Sequence, residues 1–295
     1  MQYQPNGNLP EPEKAKTLVF EHGGRKVLAM GSVAYATPAD RGHVIVTGSH
    51  GGRSAGEYAA RVAPLAAVAN DAGMGKNQAG IAGLRALDSR RIIGIGVSHT
   101  SARIGEGLDG WEHGRVSYVN ETGARAGVHE GALLREALEA LLRRSPLDTM
   151  IAPEDGGEWV AGSMRREIVL EDSGLRVLAL DSASLLQPQD EGQIVIAAGN
   201  GGLESGMLTR RFRCALAAFN DAGIGKDGAG VAGLGVLDQA GLPGLGVSHL
   251  SAEISDGMDT WNHGVISTVN EAAAARGIRV GESVQAAVQR LLRDR

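Results

Sequence analysis

The chain has 295 residues, a formal net charge of −5 and 44 glycines, and aromatic residues make up only 3% of it. The mild charge and the lack of lysine- or arginine-rich runs argue against nucleic acid as a partner. A single cysteine, Cys214, excludes an intrachain disulfide framework. No apolar run approaches the ~20 residues of a membrane span, and residues 1–16 lack the apolar core of a secretory signal. We expect a cytoplasmic protein without a membrane partner.

The chain repeats itself at an offset of 150 residues. Residues 70–84 return at 220–234 with eleven of fifteen positions identical, and residues 96–114 return at 246–264. A long period with two copies predicts two tandem domain-sized units. The predicted organisation is a polar N-terminal arm (1–16), a first α/β repeat (17–144), a linker (145–162) and a second α/β repeat (163–295).

Each unit is predicted to open with a β-hairpin at one sheet edge. In the first unit, residues 17–30 form two short apolar runs that break at His22-Gly23-Gly24, and residues 168–180 repeat the pattern. Residues 43–47 predict a buried strand that runs into a glycine-rich loop. Ser54 and Glu57 fit a capping box and predict a helix that begins at Ser54.

The rest of the unit continues the alternation of strands and helices. Strands are predicted at 65–69, 92–97 and 116–119, with a helix from about Asn77 to Asp88. A long loop is predicted to carry Asp109, Trp111 and His113. A closing amphipathic helix is indicated by apolar residues at helical spacing. They are Leu134, Leu138, Leu141 and Leu142, matched by Val284, Val288, Leu291 and Leu292.

The pattern predicts an α/β fold in which each unit has a mostly parallel sheet flanked by helices. In such sheets ligands bind beyond the carboxyl ends of the strands. We therefore expect the functional residues on one rim, in three loops of each unit. These loops are 48–54, 70–78 and 98–107, with 198–204, 220–228 and 248–257 in the second unit.

Asp71 and Lys76, repeated as Asp221 and Lys226, are the first catalytic candidates. A loop that leads into a helix presents free N–H groups, and with a lysine it suits a carboxylate, a phosphate or an oxyanion. Asp71 is a candidate general base. The alternative is structural, with the aspartate capping the loop and pairing with the lysine. The segment lacks the glycine spacing and the Ser/Thr of a Walker A motif. Candidate binding residues beside it are Asn70, Gly73, Gly75 and Asn220.

The loop after the predicted strand at 43–47 provides a further pair of catalytic candidates, Ser49 and His50. Backbone N–H groups in a glycine turn can converge on one oxygen, and the serine is a potential nucleophile. Alternatively, the glycines only permit a tight turn. Candidate binding residues here are Gly51, Gly52, Asn200, Gly201 and Gly202. Because the copy lacks the serine and the histidine, the halves would not be equivalent.

The third loop contains His99, Ser101 and Arg103, with Ser251 in the copy, as candidate binding residues. Arg103 faces Glu253 across the repeat, so it either clamps a substrate carboxylate in one half or forms an ion pair. We predict no cofactor and no metal. A less favoured alternative is a divalent metal site with histidine and aspartate ligands. Its ligands would be His99, Asp109 and His113, and His249, Asp259 and His263.

The favoured function is an enzyme that acts on a small polar metabolite, for which an anion is the favoured class, by acid/base chemistry at a carbonyl group, as a hydrolase. One alternative is a non-catalytic module that binds a small anion or nucleotide on each of two comparable rims. A lyase or isomerase on the same scaffold is another. A homo-oligomer is also possible, with the glycine-rich helices around Gly80 and Gly83 packing subunits together.

Overall fold

The computed structural model describes residues 13, 16–144 and 163–293. The predicted linker, and the predicted arm apart from residues 13 and 16, lie outside this range. The strands of the first unit are β1 (Thr17–His22), β2 (Arg25–Met30), β3 (Val44–His50), β4 (Ala66–Asn70), β5 (Ile93–Val97) and β6 (Val116–Val119). Those of the second are β7 (Arg166–Asp172), β8 (Leu175–Leu180), β9 (Ile194–Asn200), β10 (Leu216–Asn220), β11 (Gly244–Val247) and β12 (Ile266–Val269).

Each unit contains one six-stranded sheet, in the order β1-β2-β3-β4-β5-β6 or β12-β11-β10-β9-β8-β7. The four central strands run parallel, and the hairpin strand and the last strand are antiparallel edges. The predicted fold class is confirmed, including the N-terminal hairpin of each unit. The carboxyl ends of the parallel strands therefore meet along one edge of each sheet, where a ligand site is expected.

Helices cover both faces of each sheet. In the first unit they are α1 (Arg53–Val62), α2 (Ala82–Ala86), α3 (Gly107–His113), α4 (Glu121–Arg125) and α5 (Leu134–Arg143). In the second unit they are α6 (Leu203–Arg211), α7 (Gly233–Asp238), α8 (Gly257–His263), α9 (Glu271–Ala275) and α10 (Val284–Arg293). Short 3-10 segments include Val33–Tyr35, Lys76–Ile81, Leu87–Arg90, Ala183–Leu185 and Lys226–Val231.

The two faces of the first sheet form separate hydrophobic cores, as the alternation of side chains along a strand requires. In β3, Val44 and Val46 join the core beneath α5, and Ile45 joins the core beneath α1. The predicted apolar stripe of α5 is buried. Trp111 is also buried and stacks on Phe20 with ring centroids 6.4 Å apart.

The predicted helix from about Asn77 to Asp88 is only partly present. Asn77 and Gln78 have left-handed φ angles of 53° and 56°, and regular α-helix is confined to α2. Gly80 explains the interruption, because a Cβ there would lie 2.1 Å from the carbonyl oxygen of Asp71. The glycine-rich segment therefore wraps closely around that carbonyl group.

Two further local predictions are corrected. The N-cap of α1 is Gly52, and Ser54 lies inside the helix, where its Oγ is 3.0 Å from Ser255 Oγ of the other unit. Asp109 and His113 lie on helix α3 and not in a long loop. A short helix between glycines has too few residues to display a clear apolar period, which is why the sequence pattern missed it.

Glycines bring α1 and α2 together at backbone distance. A Cβ at Gly56 would lie 2.6 Å from Gly83 Cα, and a Cβ at Gly83 would lie 2.2 Å from the carbonyl oxygen of Gly52. This contact is the close backbone packing that the glycine-rich sequence predicted. A search of the described helices finds none with the length and apolar character to span a bilayer.

Candidate functional site

The repeated 70–78 and 220–228 loops meet where the two units contact each other. Lys76 N donates to His249 O at 2.7 Å, and Lys226 N donates to His99 O at 2.8 Å. A Cβ at Gly73 would lie 3.2 Å from Gly223 Cα, and the reciprocal distance is the same. Every one of these contacts occurs in both directions, so a pseudo-twofold axis passes between the loops.

The lysine side chains strengthen this contact. Lys76 Nζ lies 2.7 and 2.9 Å from the two carboxylate oxygens of Asp259, and Lys226 Nζ lies at the same distances from those of Asp109. Each lysine therefore pairs with an aspartate of the other unit and not with the aspartate of its own loop.

Asp71 and His99 form a hydrogen-bonded dyad beside the axis. Asp71 Oδ1 accepts from His99 Nδ1, from the His99 amide and from the Gly73 amide, each at 2.9 Å. Burial raises the pKa of Asp71, but the hydrogen bonds, foremost that from His99, outweigh it and hold the pKa below the usual value. The hydrogen bond to Asp71 in turn raises the pKa of His99.

The second unit repeats this dyad. His249 Nδ1 lies 2.8 Å from Asp221 Oδ1. The imidazole of His249 packs against Gly73 and that of His99 against Gly223, so a Cβ on either glycine would come within about 3 Å of the ring. Each dyad is thus a part of the contact between the units.

The alternative metal ligands are not gathered around one point. His99 pairs with Asp71, whereas His113 Nδ1 lies 3.0 Å from Asp109 Oδ1 and His263 Nδ1 lies 2.8 Å from Asp259 Oδ1. Within residues 16–144 and 163–293, no group of three or more His, Cys, Asp or Glu side chains has an arrangement that suits a metal ion.

A cleft of about 640 Å³ lies between the two units, at the carboxyl ends of β2, β3, β5, β8 and β9. It has walls from both units. The first unit contributes residues 31–35, 48–50, 54, 55, 58 and 103–106. The second contributes residues 182–184, 199, 200, 202–205, 208, 227, 229 and 232. The location is the one that the strand order predicts for a ligand site.

His50 is a buried, neutral member of the cleft wall. The residue is 6% exposed, and burial lowers the pKa of its imidazole to about 4. Nδ1 accepts a hydrogen bond from the Gly52 amide at 3.1 Å, so the proton of the neutral ring lies on Nε2. His50 therefore keeps one N–H donor for another partner.

Ser49 Oγ accepts a hydrogen bond from the Val33 amide at 2.9 Å. Its hydroxyl proton remains available to an acceptor in the cleft. No hydrogen bond joins Ser49 to His50 within the described part of the chain, so these neighbours do not form a nucleophile–base pair.

A phenol–carboxylate pair crosses the cleft between the units. Tyr35 Oη donates to Glu204 Oε1 at 2.5 Å. Burial, followed by the hydrogen bond to Glu204, raises the pKa of Tyr35 to about 12. The phenol therefore stays protonated at neutral pH, and the pair holds one proton between two reactive oxygens.

Arg103 is bound by acidic side chains from both units. Its guanidinium lies 2.9 Å from Glu106 Oε2 and 2.9 Å from Asp109 Oδ1 of its own unit. It also lies 2.9 Å from Asp227 Oδ2 of the other unit. The inter-unit ion pair, one of the two interpretations of this arginine, is present.

The cleft exists because the two units differ at equivalent positions. On one side of the axis, Ser54 and Ser255 meet with their hydroxyl oxygens 3.0 Å apart. The equivalent positions on the other side are Glu204 and Gly105, and a Cβ at Gly105 would meet nothing within 4 Å. The space that the serine pair closes on one side is open on the other.

Gly199 is unusual among the described glycines. Its φ angle is outside the left-handed region, and a Cβ there would meet nothing within 4 Å. Neither conformation nor packing requires a glycine at this position, which faces the cleft. A glycine without a structural reason often marks the close approach of a ligand.

The predicted site residues thus separate into groups. The cleft contains Ser49, His50, Arg103, Asn200 and Gly202. The contact around the axis contains Asp71, Lys76, Gly73, Gly75 and His99, with Asp221 and Lys226. Local packing and hydrogen bonds within each unit hold Gly51, Asn70, Ser101, Gly201, Asn220 and Ser251.

Several cleft residues were missed by the sequence analysis, namely Tyr35, Glu106, Gly199, Glu204 and Asp227. A comparison of the two repeats could have identified them. The equivalents of these five positions are Leu185, Asp256, Ser49, Ser54 and Asn77. In every case the two units differ, whereas the first catalytic candidates, Asp71 and Lys76, are residues that both units share.

The chain has no significant match to a protein-family model, to a curated protein or to a solved structure. We therefore infer a function from the geometry of the cleft alone.

Proposed function

We propose that the chain is an enzyme that acts on a small polar metabolite by acid/base chemistry at a carbonyl group, in the cleft between the units. The observation that carries the proposal is the Tyr35–Glu204 pair, which lies in the same cleft as the buried neutral imidazole of His50. Acid/base reactions at a carbonyl group need a proton acceptor, here Glu204, and fixed hydrogen-bond donors, here His50 and Ser49, and the cleft contains both.

Hydrolysis is the reaction that we favour. The His50 Nε2–H group and the Ser49 hydroxyl would donate hydrogen bonds to the carbonyl oxygen and stabilise the negative charge that develops there. Glu204 would take a proton from a water molecule as the water oxygen attacks the carbonyl carbon. The bond to the leaving group then breaks, and the leaving group takes that proton from Glu204. Tyr35 remains protonated throughout and orients the carboxylate.

An acyl-enzyme on Ser49 is less well supported. Activation of a serine needs a base within hydrogen-bond reach. Ser49 Oγ instead accepts from the Val33 amide, and no base in the described part of the chain is bonded to it. Direct attack by water is the simpler route.

A lyase or isomerase remains the second candidate, because Glu204 could equally remove a proton from the carbon beside the carbonyl group. The binding-module alternative is less well supported. It predicts two comparable rims, whereas the cleft is a single asymmetric space formed by both units. The motifs at Asp71 and Lys76 bind the units together and are assigned no step.

The test is turnover of a panel of small esters, amides and lactones by the wild type and Glu204→Gln. Loss of the carboxylate should lower kcat by about 10²- to 10⁴-fold, the usual contribution of a general base. Glu171→Gln removes an equal charge from an exposed position and should leave kcat unchanged. A folded Glu204→Gln enzyme with full activity would refute the proposed role.

A further inference from the structure

The cleft has an excess of negative charge. Among the described residues that line it, Glu106, Glu204 and Asp227 are acidic and Arg103 is basic. Arg103 does not balance them, because it also contacts the carboxylate of Asp109. Lys226 also contacts Asp109. Without Glu204, the network therefore contains three carboxylates and two cationic side chains, Arg103 and Lys226.

Glu204 increases the imbalance. Its hydrogen-bond partner is the neutral phenol of Tyr35, and no cationic side chain in the described part of the chain is bonded to it. Glu13 lies close by and adds another carboxyl group, with Oε1 buried and without a partner among the described residues. Burial raises the pKa of Glu13, and the neighbouring charges of Glu106 and Glu204 raise it further.

Two features of the cleft indicate that a ligand would also carry a neutral hydrogen-bond acceptor. His50 is 6% exposed, and no hydrogen bond joins its Nε2–H to an acceptor among the described residues. Gly199, which lines the same cleft from the other unit, leaves open space that no conformational constraint explains. An oxygen atom of a ligand in this space would provide the missing acceptor.

We propose that the substrate carries a cationic group, a protonated amine or amidine, at one end and a neutral carbonyl oxygen at the other. The cationic group would lie next to Glu106, where the Arg103 network has a spare negative charge. The carbonyl oxygen would lie near His50 and Gly199, which leaves Glu204 to Tyr35 and to proton transfer. This substrate class rests on the proposed function and replaces the anionic metabolite that the sequence suggested.

The test uses three probes that share an amide and differ in charge. They are 4-aminobutanamide, butanamide and succinamate, titrated into the full-length protein and followed by ligand-observed NMR. One charge-assisted contact corresponds to about tenfold in affinity. The amine should therefore bind at least about tenfold more tightly than butanamide, and succinamate should bind most weakly.

Variants locate the binding site. Glu106→Gln should remove most of the preference for the amine, whereas Glu171→Gln, which removes the same charge far from the cleft lining, should retain it. Gly199→Trp fills the space without backbone strain and should weaken all three probes. The amine preference should also decline as salt is added, because solvent-exposed charges are screened.

Equal affinities for the three probes, tighter binding of succinamate, or no detectable binding below about 10 mM would overturn the proposed substrate class. A preference for the amine that survives both Glu106→Gln and Gly199→Trp would overturn it too. These outcomes are separable from failure of the proposed function. Loss of turnover in Glu204→Gln tests the chemistry, whichever charge the substrate carries.

Discussion

The contact around the pseudo-twofold axis and the cleft both join the two units, but they differ in symmetry. At the axis both units have the same residues, and each Lys–Asp pair and each Asp–His dyad occurs twice. In the cleft the equivalent residues differ, as with Tyr35 and Leu185 or Ser54 and Glu204. The comparison indicates that duplicated residues hold the units together and that diverged residues line the cleft, where we propose the chemistry.

This division explains why repetition alone was a misleading guide to function. Two copies of a unit that contact each other through the same loops must keep the same contacts on both sides of the axis. A cleft that binds one asymmetric molecule has no such constraint. The residues to examine in a duplicated chain of this kind are therefore those at which its two halves differ.

The largest expected effect is at the axis. Asp109 has 2% of its side chain exposed, so Asp109→Ala leaves Lys226 without its carboxylate partner and removes one of the three carboxylates that Arg103 contacts. We expect a loss of about 3–5 kcal/mol in the free energy of unfolding, measured with urea. Asp259 is 17% exposed, and Asp259→Ala should cost about 2 kcal/mol less. Equal losses in the two variants would contradict the larger effect that we expect from the more deeply buried Asp109.

The next effect is a pH dependence that originates in the cleft. The pKa of His50 is about 4 in the folded protein and 6.5 in the unfolded chain, so the unfolded state binds more protons between these values. Stability should therefore fall as the pH decreases from 6.5 to 4, by about 3 kcal/mol from this group.

His50→Asn, which copies the equivalent Asn200, removes this titration and is the matched variant. Denaturant unfolding of both proteins at pH 6.5, 5.5 and 4.5 isolates the effect. Parallel pH profiles for the two proteins would show that His50 is not held neutral by burial.

A smaller effect distinguishes two kinds of glycine. Gly56→Ala forces a Cβ to within 2.6 Å of Gly83 Cα and should destabilise the fold by about 1–3 kcal/mol. Gly199→Ala places its Cβ in open space and should change stability by less than about 0.5 kcal/mol. Thermal unfolding compares the two. Similar losses in both variants would remove the argument that Gly199 serves the cleft.

The smallest effect concerns an ion pair between the two units that occurs on one side of the axis alone. Arg53 lies 3.0 Å from Asp256 with 34% of its side chain exposed, and the equivalent residue is Leu203. Arg53→Leu should cost less than about 1 kcal/mol, since exposed ion pairs contribute little. A larger loss in urea unfolding would mean that asymmetric contacts also hold the units together.

Much of the fold could be predicted from the sequence, because the hairpins, the parallel strands and the apolar stripe of α5 all follow from local patterns. The 76–81 segment could not, since its left-handed residues Asn77 and Gln78 respond to packing around the Asp71 carbonyl. Ser49, His50 and Arg103 were placed correctly at the carboxyl ends of strands. Tyr35 and Glu204 could not be paired in advance, because they are 169 residues apart and meet only when the units associate.

The most direct test of the central claim is a thermal-shift screen of a metabolite panel against the wild type, Gly199→Trp and Lys76→Met. Our account predicts that compounds which stabilise the wild type lose their effect in Gly199→Trp, where the cleft is filled. They should keep it in the less stable Lys76→Met, where only the axis is altered. Stabilisation that persists in folded Gly199→Trp and disappears in Lys76→Met would place the ligand site at the axis and contradict the account.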